Sequence, residues 1–279
     1  MSNIAILTDS TAYLPEAFLK SHNIHVIPLK IHWDGTNYED NVDITPAEFY
    51  DQLAGASTVP TTSQPPVDEF LGMYEKLAEE YEGIIVPLIS SGISGTISSA
   101  QTAASMFSKV PVEVIDTHTT SAALALIVTA LAQASSEGAD LETLKQKAEE
   151  LVSQTEIYFA VDTLEYLHKG GRIGGASRYF GTAFSIKPIL YLNEEGKIGA
   201  LERVRTKRKA VARLIELAVE KSNGKPVHVG VLHANALSEA EEMKKRISDQ
   251  VDCQHLEIYE LSPVIGTHVG PGTLGVAVF

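Results

Sequence analysis

The chain has a single cysteine, Cys253, among 279 residues, so no disulfide closes within it and nothing calls for an oxidising compartment. It has no long apolar run. The most apolar stretch, residues 122–134, falls short of the roughly 20 residues needed to cross a bilayer, and a buried helix is expected there. The first residues carry neither the basic stretch nor the apolar run of a secretory signal, and the expected location is the cytoplasm. Positive charge is scarce: 22 Lys and Arg against 36 Asp and Glu leave a net charge of -14, which excludes broad nucleic-acid binding because phosphate neutralisation needs a basic surface. Metal-ligand spacing is missing too, since the nine histidines are scattered and none falls in a zinc-site pattern.

What is present suits a globular protein. Hydrophobic residues make up 44% and charged residues 21%, and the length fits two domains sharing a cleft. The few basic residues are gathered. Half of them lie between Lys169 and Arg213, where the only acids are Glu194, Glu195 and Glu202. A basic band on an acidic protein suggests a local anionic contact, although residues 207–213 read equally as a solvated helix face.

Along the chain, strand-like runs (4–7, 25–33, 84–89, 112–116) alternate with helical periods (15–21, 45–53, 66–80, 94–107, 121–135, 140–153), which predicts a parallel sheet covered on both faces. After residue 156 the pattern changes. Strand 157–161 and a glycine-broken helical segment 164–183 precede strands 189–193 and 197–204. The last two are joined by Glu194-Glu195-Gly196, a hairpin signal. Helices 206–222 and 238–251 and strands 227–233, 256–261 and 274–279 follow. The expected fold class is therefore α/β, with an N-terminal parallel-sheet lobe (1–156), a C-terminal α/β lobe with a mixed sheet (157–279), and a ligand site at their junction.

Four polar or glycine-rich loops, most of them after strands, could converge on that cleft: Thr8-Asp9-Ser10-Thr11, Pro60-Thr61-Thr62-Ser63-Gln64-Pro65, Ser90-Ser91-Gly92-Ile93-Ser94-Gly95-Thr96 and Gly266-Thr267-His268-Val269-Gly270-Pro271-Gly272. Small hydroxyls and free N–H groups at a helix start favour an anion, and Ser94 stands at such a start. Taken singly, Thr62, Ser63 and Ser94 are explained as caps and turn formers. The sequence Gly270-Pro271-Gly272-Thr273-Leu274-Gly275 matches a dinucleotide fingerprint literally, but it leads into a strand and not a helix. Gly92-Ile93-Ser94-Gly95-Thr96 approaches a nucleophile elbow, and the order Ser94, Asp116, His268 matches a hydrolase triad. Threonine, however, stands where the second glycine is required. A serine hydrolase or acyltransferase is the enzyme alternative.

The ordered set of segments resembles the DegV family nearly end to end. It comprises residues 6–12, Thr62-Ser63-Gln64-Pro65, Ser91-Gly92-Ile93-Ser94-Gly95-Thr96, residues 167–173, Ile186-Lys187-Pro188-Ile189-Leu190, Val204-Arg205-Thr206 and residues 266–272. The resemblance implies a two-domain, non-catalytic protein that encloses a long-chain fatty acid such as palmitate, stearate or oleate, with no cofactor. It places the carboxylate at Thr62, Ser94 and His268, with Ser63 and Gly95 alongside and Arg205 as the candidate arginine. It also implies a partner, a separate ATP-dependent fatty acid kinase that makes an acyl phosphate for phospholipid synthesis; this chain itself shows no P-loop or kinase signature. Lys169, Arg172 and Arg203 are then candidates for docking the kinase or touching anionic head groups during transient membrane contact. The apolar residues around Phe180, Phe184, Ile186 and Leu190 are candidates for the tunnel wall, with ordinary core as the open alternative.

Overall fold

The two most apolar strand-like runs of the N-terminal half become the centre of a parallel sheet. The structure, a computed structural model, describes residues 3–181 and 186–279. Strands β1 (Ile4–Asp9) and β6 (Gly83–Leu88) pair side by side and are buried on both faces, which is why neither alternates in polarity. With β2 (Ile24–Ile27) and β7 (Val112–Asp116) outside them they form an all-parallel sheet in the order β2-β1-β6-β7. Helices α1 (Glu16–Ser21), α3 (Val67–Leu77), α4 (Thr96–Met106) and α6 (Leu141–Gln154) belong to this half. So does α2 (Pro46–Ala54), which opens with a capping box in which Thr45 Oγ1 accepts from Glu48 N and the Glu48 carboxylate accepts from Thr45 N.

The apolar stretch 122–134 forms most of α5 (Ser121–Ser136), buried continuously from Ala122 to Val128. It is apolar all round because it is sandwiched: β1 and β6 pack on one side, β11 (Val227–His233) and β13 (Leu274–Val278) on the other. These last two belong to a six-stranded mixed sheet, β10-β9-β8-β13-β11-β12, completed by β8 (Glu156–Ala160), β9 (Lys187–Leu192), β10 (Ile198–Val204) and β12 (Cys253–Glu260). Only β11 and β12 run parallel. Val229, Val231, Val276 and Val278 point to α8 (Lys207–Ser222) and α9 (Leu237–Ser248), while the alternate residues Leu232 and Ala277 join the core around α5. That core runs across residue 156, from Ile6 and Ile85 to Leu190 and Ala277. Among the described residues, no helix is long and apolar enough to cross a membrane.

Four features depart from the sequence reading, and they position the site. The run 25–33 is not one strand. Pro28 interrupts it, and β3 (Lys30–Trp33) turns away to pair with β4 (Thr36–Glu39) through Asp34-Gly35, both at positive φ (49° and 80°), as a two-residue hairpin requires. The other edge of β3 takes β5 (Thr61–Ser63), so Thr62 sits on a strand and not in a loop. The glycine-rich segment near the C-terminus begins as a helix, α10 (Pro263–Val269), capped by Ser262. Gly266 lies inside this helix because a Cβ there would stand 2.5 Å from the Tyr50 hydroxyl. The glycine-broken stretch 164–183 keeps one short α-helix, α7 (Glu165–Lys169), followed by a 3₁₀ segment over Gly174–Tyr179.

Candidate functional site

Thr62 of β5, Ser94 ahead of α4 and His268 in the last turn of α10 line one cavity, together with Ser63, Gln64 and Arg172. Thr62 Oγ1 and His268 Nε2 are hydrogen-bonded at 2.8 Å across 206 residues of sequence. Ser94 Oγ shares a hydrogen bond with Thr96 Oγ1 (2.8 Å) and accepts from Thr96 N (3.3 Å), which sets it just before the free N–H groups of the first turn of α4. Gly95 caps that helix, and a Cβ at this position would meet the Gln64 side chain at 3.0 Å. His32 Nε2 bonds Ser63 Oγ (2.9 Å), so Ser63 is held from behind.

Burial, with the positive charge of Arg172 second, holds His268 down at about 4, so its ring is neutral at neutral pH. Its Nδ1 is buried and makes no hydrogen bond. Gly170 presses against that atom so closely that a Cβ at 170 would lie 2.2 Å from it. Arg172 is fixed by two backbone carbonyls, Nε donating to Ile93 (3.1 Å) and Nη1 to Gly170 (2.8 Å). Two hydroxyls, a fixed guanidinium and a neutral imidazole form a donor set for an anion with two oxygens.

The rest of the cavity is greasy. Ile157, Leu192 and Ile198 form a row across β8, β9 and β10, and Phe159, Leu232 and Val264 extend it. The space within the lining is about 780 Å³, with the open solvent at its mouth included. Among the described residues, no group of acids, histidines and cysteines is placed to hold a metal ion.

The profile of the "Uncharacterised protein, DegV family" matches residues 3–279. The chain belongs to the DegV family. A DegV domain-containing protein of Halalkalibacterium halodurans is 40% identical over 279 residues, covering 99% of this chain and 98% of that one. Among solved structures, a DegV family protein from Thermus thermophilus, described by its fatty acid binding, superposes with a TM-score of 0.94 at 32% identity, covering 99% of both chains. DegV of Bacillus subtilis, described as a fatty acid binding protein, gives 0.91 at 35% identity, covering 100% of this chain and 99% of that one. Both the parallel four-stranded sheet and the mixed six-stranded sheet of this DegV chain match those structures.

The structure of this DegV chain brings some of the residues singled out in the sequence together and separates others. Arg205 is exposed and does not line the cavity; the arginine that does is Arg172, for which the sequence had suggested a surface role. Lys169 is ion-paired with Glu165 (2.6 Å), and exposed Arg203 lies over the Tyr179 ring (5.1 Å). Phe180 is exposed and stacks on His168, Leu190 lies in the core, and neither they nor Ile186 line the cavity; Phe184 lies outside the described residues. The hydrolase alternative finds no assembled triad. Asp116 accepts from the N–H groups of Ser91 (3.2 Å) and His118 (3.0 Å), and His268 bonds Thr62 and not Ser94.

The fourth loop, Thr8-Asp9-Ser10-Thr11, does not reach this cavity. Buried Asp9 accepts from Ile89 N (2.7 Å) and Thr11 N (2.9 Å), while Ser10 Oγ donates to buried Asp40 (2.7 Å). The other Asp40 oxygen accepts from Val264 N (3.2 Å). This network braces the start of α10, and burial pushes Asp40 up to about 6. The sequence reading missed Gln64, Thr120 and Ser121 as lining residues. Gln64 lies within the recognised family segment Thr62-Ser63-Gln64-Pro65 but was not singled out there as a site residue; the other two carry no pattern of their own.

Proposed function

We propose that this chain encloses one long-chain fatty acid, its carboxylate at Thr62, Ser94 and His268 with Arg172 close by, and its acyl chain among Ile157, Phe159, Leu192 and Ile198. The observation that carries this reading is the coincidence of an apolar wall with that donor set in a single cavity. Burial of about 16 carbons at ~0.8 kcal/mol per methylene offers on the order of 12 kcal/mol of gross transfer energy, and only an enclosing bore collects much of it. A buried carboxylate needs hydrogen-bond partners, which the hydroxyls and the guanidinium supply. The relatives described as fatty acid binding proteins support the same reading.

In this proposal the lobes 1–156 and 157–279 hold the ligand between them, and the chain is a non-catalytic carrier in the cytoplasm. It presents the carboxylate to a separate ATP-dependent kinase for acyl phosphate formation in phospholipid synthesis. The exposed arginines Arg203 and Arg205 are then the candidates for docking the kinase or an anionic membrane surface.

Native mass spectrometry of the freshly purified protein, followed by denaturing extraction, tests the carrier reading. The expected result is a mass increment of one fatty acid, reduced in Ser94→Ala and His268→Ala. An empty protein that takes up no added fatty acid refutes it. Formation of acyl phosphate from ATP by the purified chain alone would refute the need for a separate kinase.

A further inference from the structure

Among the described residues, four buried side-chain polar atoms make no hydrogen bond: His118 Nδ1, Thr119 Oγ1, Thr120 Oγ1 and His268 Nδ1. His268 belongs to the head-group end of the cavity. The other three are consecutive residues of the loop between β7 and α5. His118 in this loop (φ 51°) and Ser121, the first residue of α5 (φ 56°), hold left-handed backbone, which costs a non-glycine residue on the order of 1 kcal/mol or more. The loop is firmly held. Thr117 Oγ1 donates to the Leu88 carbonyl (2.7 Å), Ser90 N donates to the Thr119 carbonyl (2.8 Å), and Asp116 accepts from His118 N. Folded proteins leave few buried polar atoms unpaired, and three in a row on a strained, rigid loop call for a cause.

Thr120 supplies a second anomaly. It is the N-cap residue of the 16-residue helix α5, with the extended backbone of a cap, yet its side chain makes no capping hydrogen bond. The hydroxyl is withheld from the role its position ordinarily gives it. Thr120 is 7% exposed and Ser121 3%, and both line the acyl cavity. A valine would fill the same volume with no polar atom to satisfy.

Position gives this hydroxyl its meaning. Ile157 and Leu192, opposite each other across β8 and β9, line the acyl cavity on one side. On the other they line a second cavity, whose lining also includes Thr117, His118 and Thr119. Ile157 stands near the start of β8; the far end of that strand leads through α7 to Gly170, which touches His268. The polar loop therefore lies beside the apolar wall of the cavity, and its Thr119 carbonyl accepts from Ser90 N of the loop that carries Ser94.

We propose that Thr120 and Ser121 form a second polar subsite for an oxygen function on the acyl chain, so that the preferred ligand is a hydroxylated long-chain fatty acid. This rests on the fatty-acid reading above. A plain chain covers Thr120 Oγ1 with methylene or methyl groups and leaves it unpaired, whereas a hydroxyl on the chain gives and takes a hydrogen bond there.

The test is competition binding to the delipidated full chain, read by native mass spectrometry. Palmitate is set against ω-hydroxypalmitate, and stearate against mid-chain hydroxystearates. The expected result is a preference of about five- to tenfold for one of the hydroxylated acids, the value of one hydrogen bond. Thr120→Val abolishes that preference while plain acids still bind. Palmitate and stearate held at least as tightly as every hydroxylated analogue would overturn the subsite, as would a preference that survives Thr120→Val. A chain that takes up none of these acids overturns the fatty-acid reading itself, an outcome distinct from binding without preference.

Discussion

Replacing His268 with glutamine, which keeps an amide to bond Thr62, isolates the cost of burying an imidazole. The folded ring takes a proton only near pH 4, the unfolded ring near its ordinary 6.5. Between those values the unfolded chain binds the extra proton, so this residue's contribution to stability falls as pH is lowered through the window. At 1.36 kcal/mol per pH unit the full loss is roughly 3 kcal/mol, and roughly 2 kcal/mol of it is incurred by pH 5. The wild type alone does not display this. Asp40, pushed up to about 6 by burial, gains stability as pH falls from 6 toward 3.8, and Asp9 is raised in the same direction. The gap between wild type and His268→Gln cancels those carboxyls. Urea unfolding of the delipidated proteins at pH 7 and pH 5 should show the variant gaining about 2 kcal/mol on the wild type at the lower pH. A gap that moves by less than about 0.5 kcal/mol would refute a shielded, neutral His268.

Thr62→Val removes the partner of His268 Nε2 and, on the proposed reading, a donor to the carboxylate, and should weaken fatty-acid retention about tenfold in a competition assay. Gly170→Ala places a methyl group within 2.2 Å of His268 Nδ1 and should empty the cavity, as read by extracted lipid, through displacement of the ring. Leu192→Ala opens the wall to the second cavity and should shift the extracted acids toward longer chains; an unchanged chain-length profile would show that this wall sets no limit.

Much of the fold was legible because its strongest signals are local. The doubly buried strands β1 and β6, the all-apolar α5 and the glycine hairpin at Gly196 follow from composition and period within ten or so residues. The residues Thr62, Ser94 and His268 were legible as a set through the family resemblance, and the structure lines one cavity with all three. What escaped depends on tertiary contact. Gly266 looks like a helix breaker until the Tyr50 hydroxyl is seen to occupy the place of its Cβ. Arg172 and Arg205 are indistinguishable in a basic band; only the carbonyls of Ile93 and Gly170 turn one of them inward. The missed strands β4 and β5 are three or four residues long and depend on β3 for their pairing. Asp34-Gly35 was the overlooked local sign of that small sheet.

A cavity walled by buried apolar side chains also bears on time. A ligand held among them leaves only when they give way, so its dwell time is governed by how often the protein opens. Helix α10 carries His268, and it is tethered at its first turn: the Val264 N–H is held by Asp40, which Ser10 holds in turn. Loosening that tether, as Asp40→Ala does, should hasten release more than it alters entry, because variants of one binding site differ mainly in their off-rates. On the proposed carrier reading, the cargo is kept by a latch, and the rate of delivery is set some distance from the atoms that touch it.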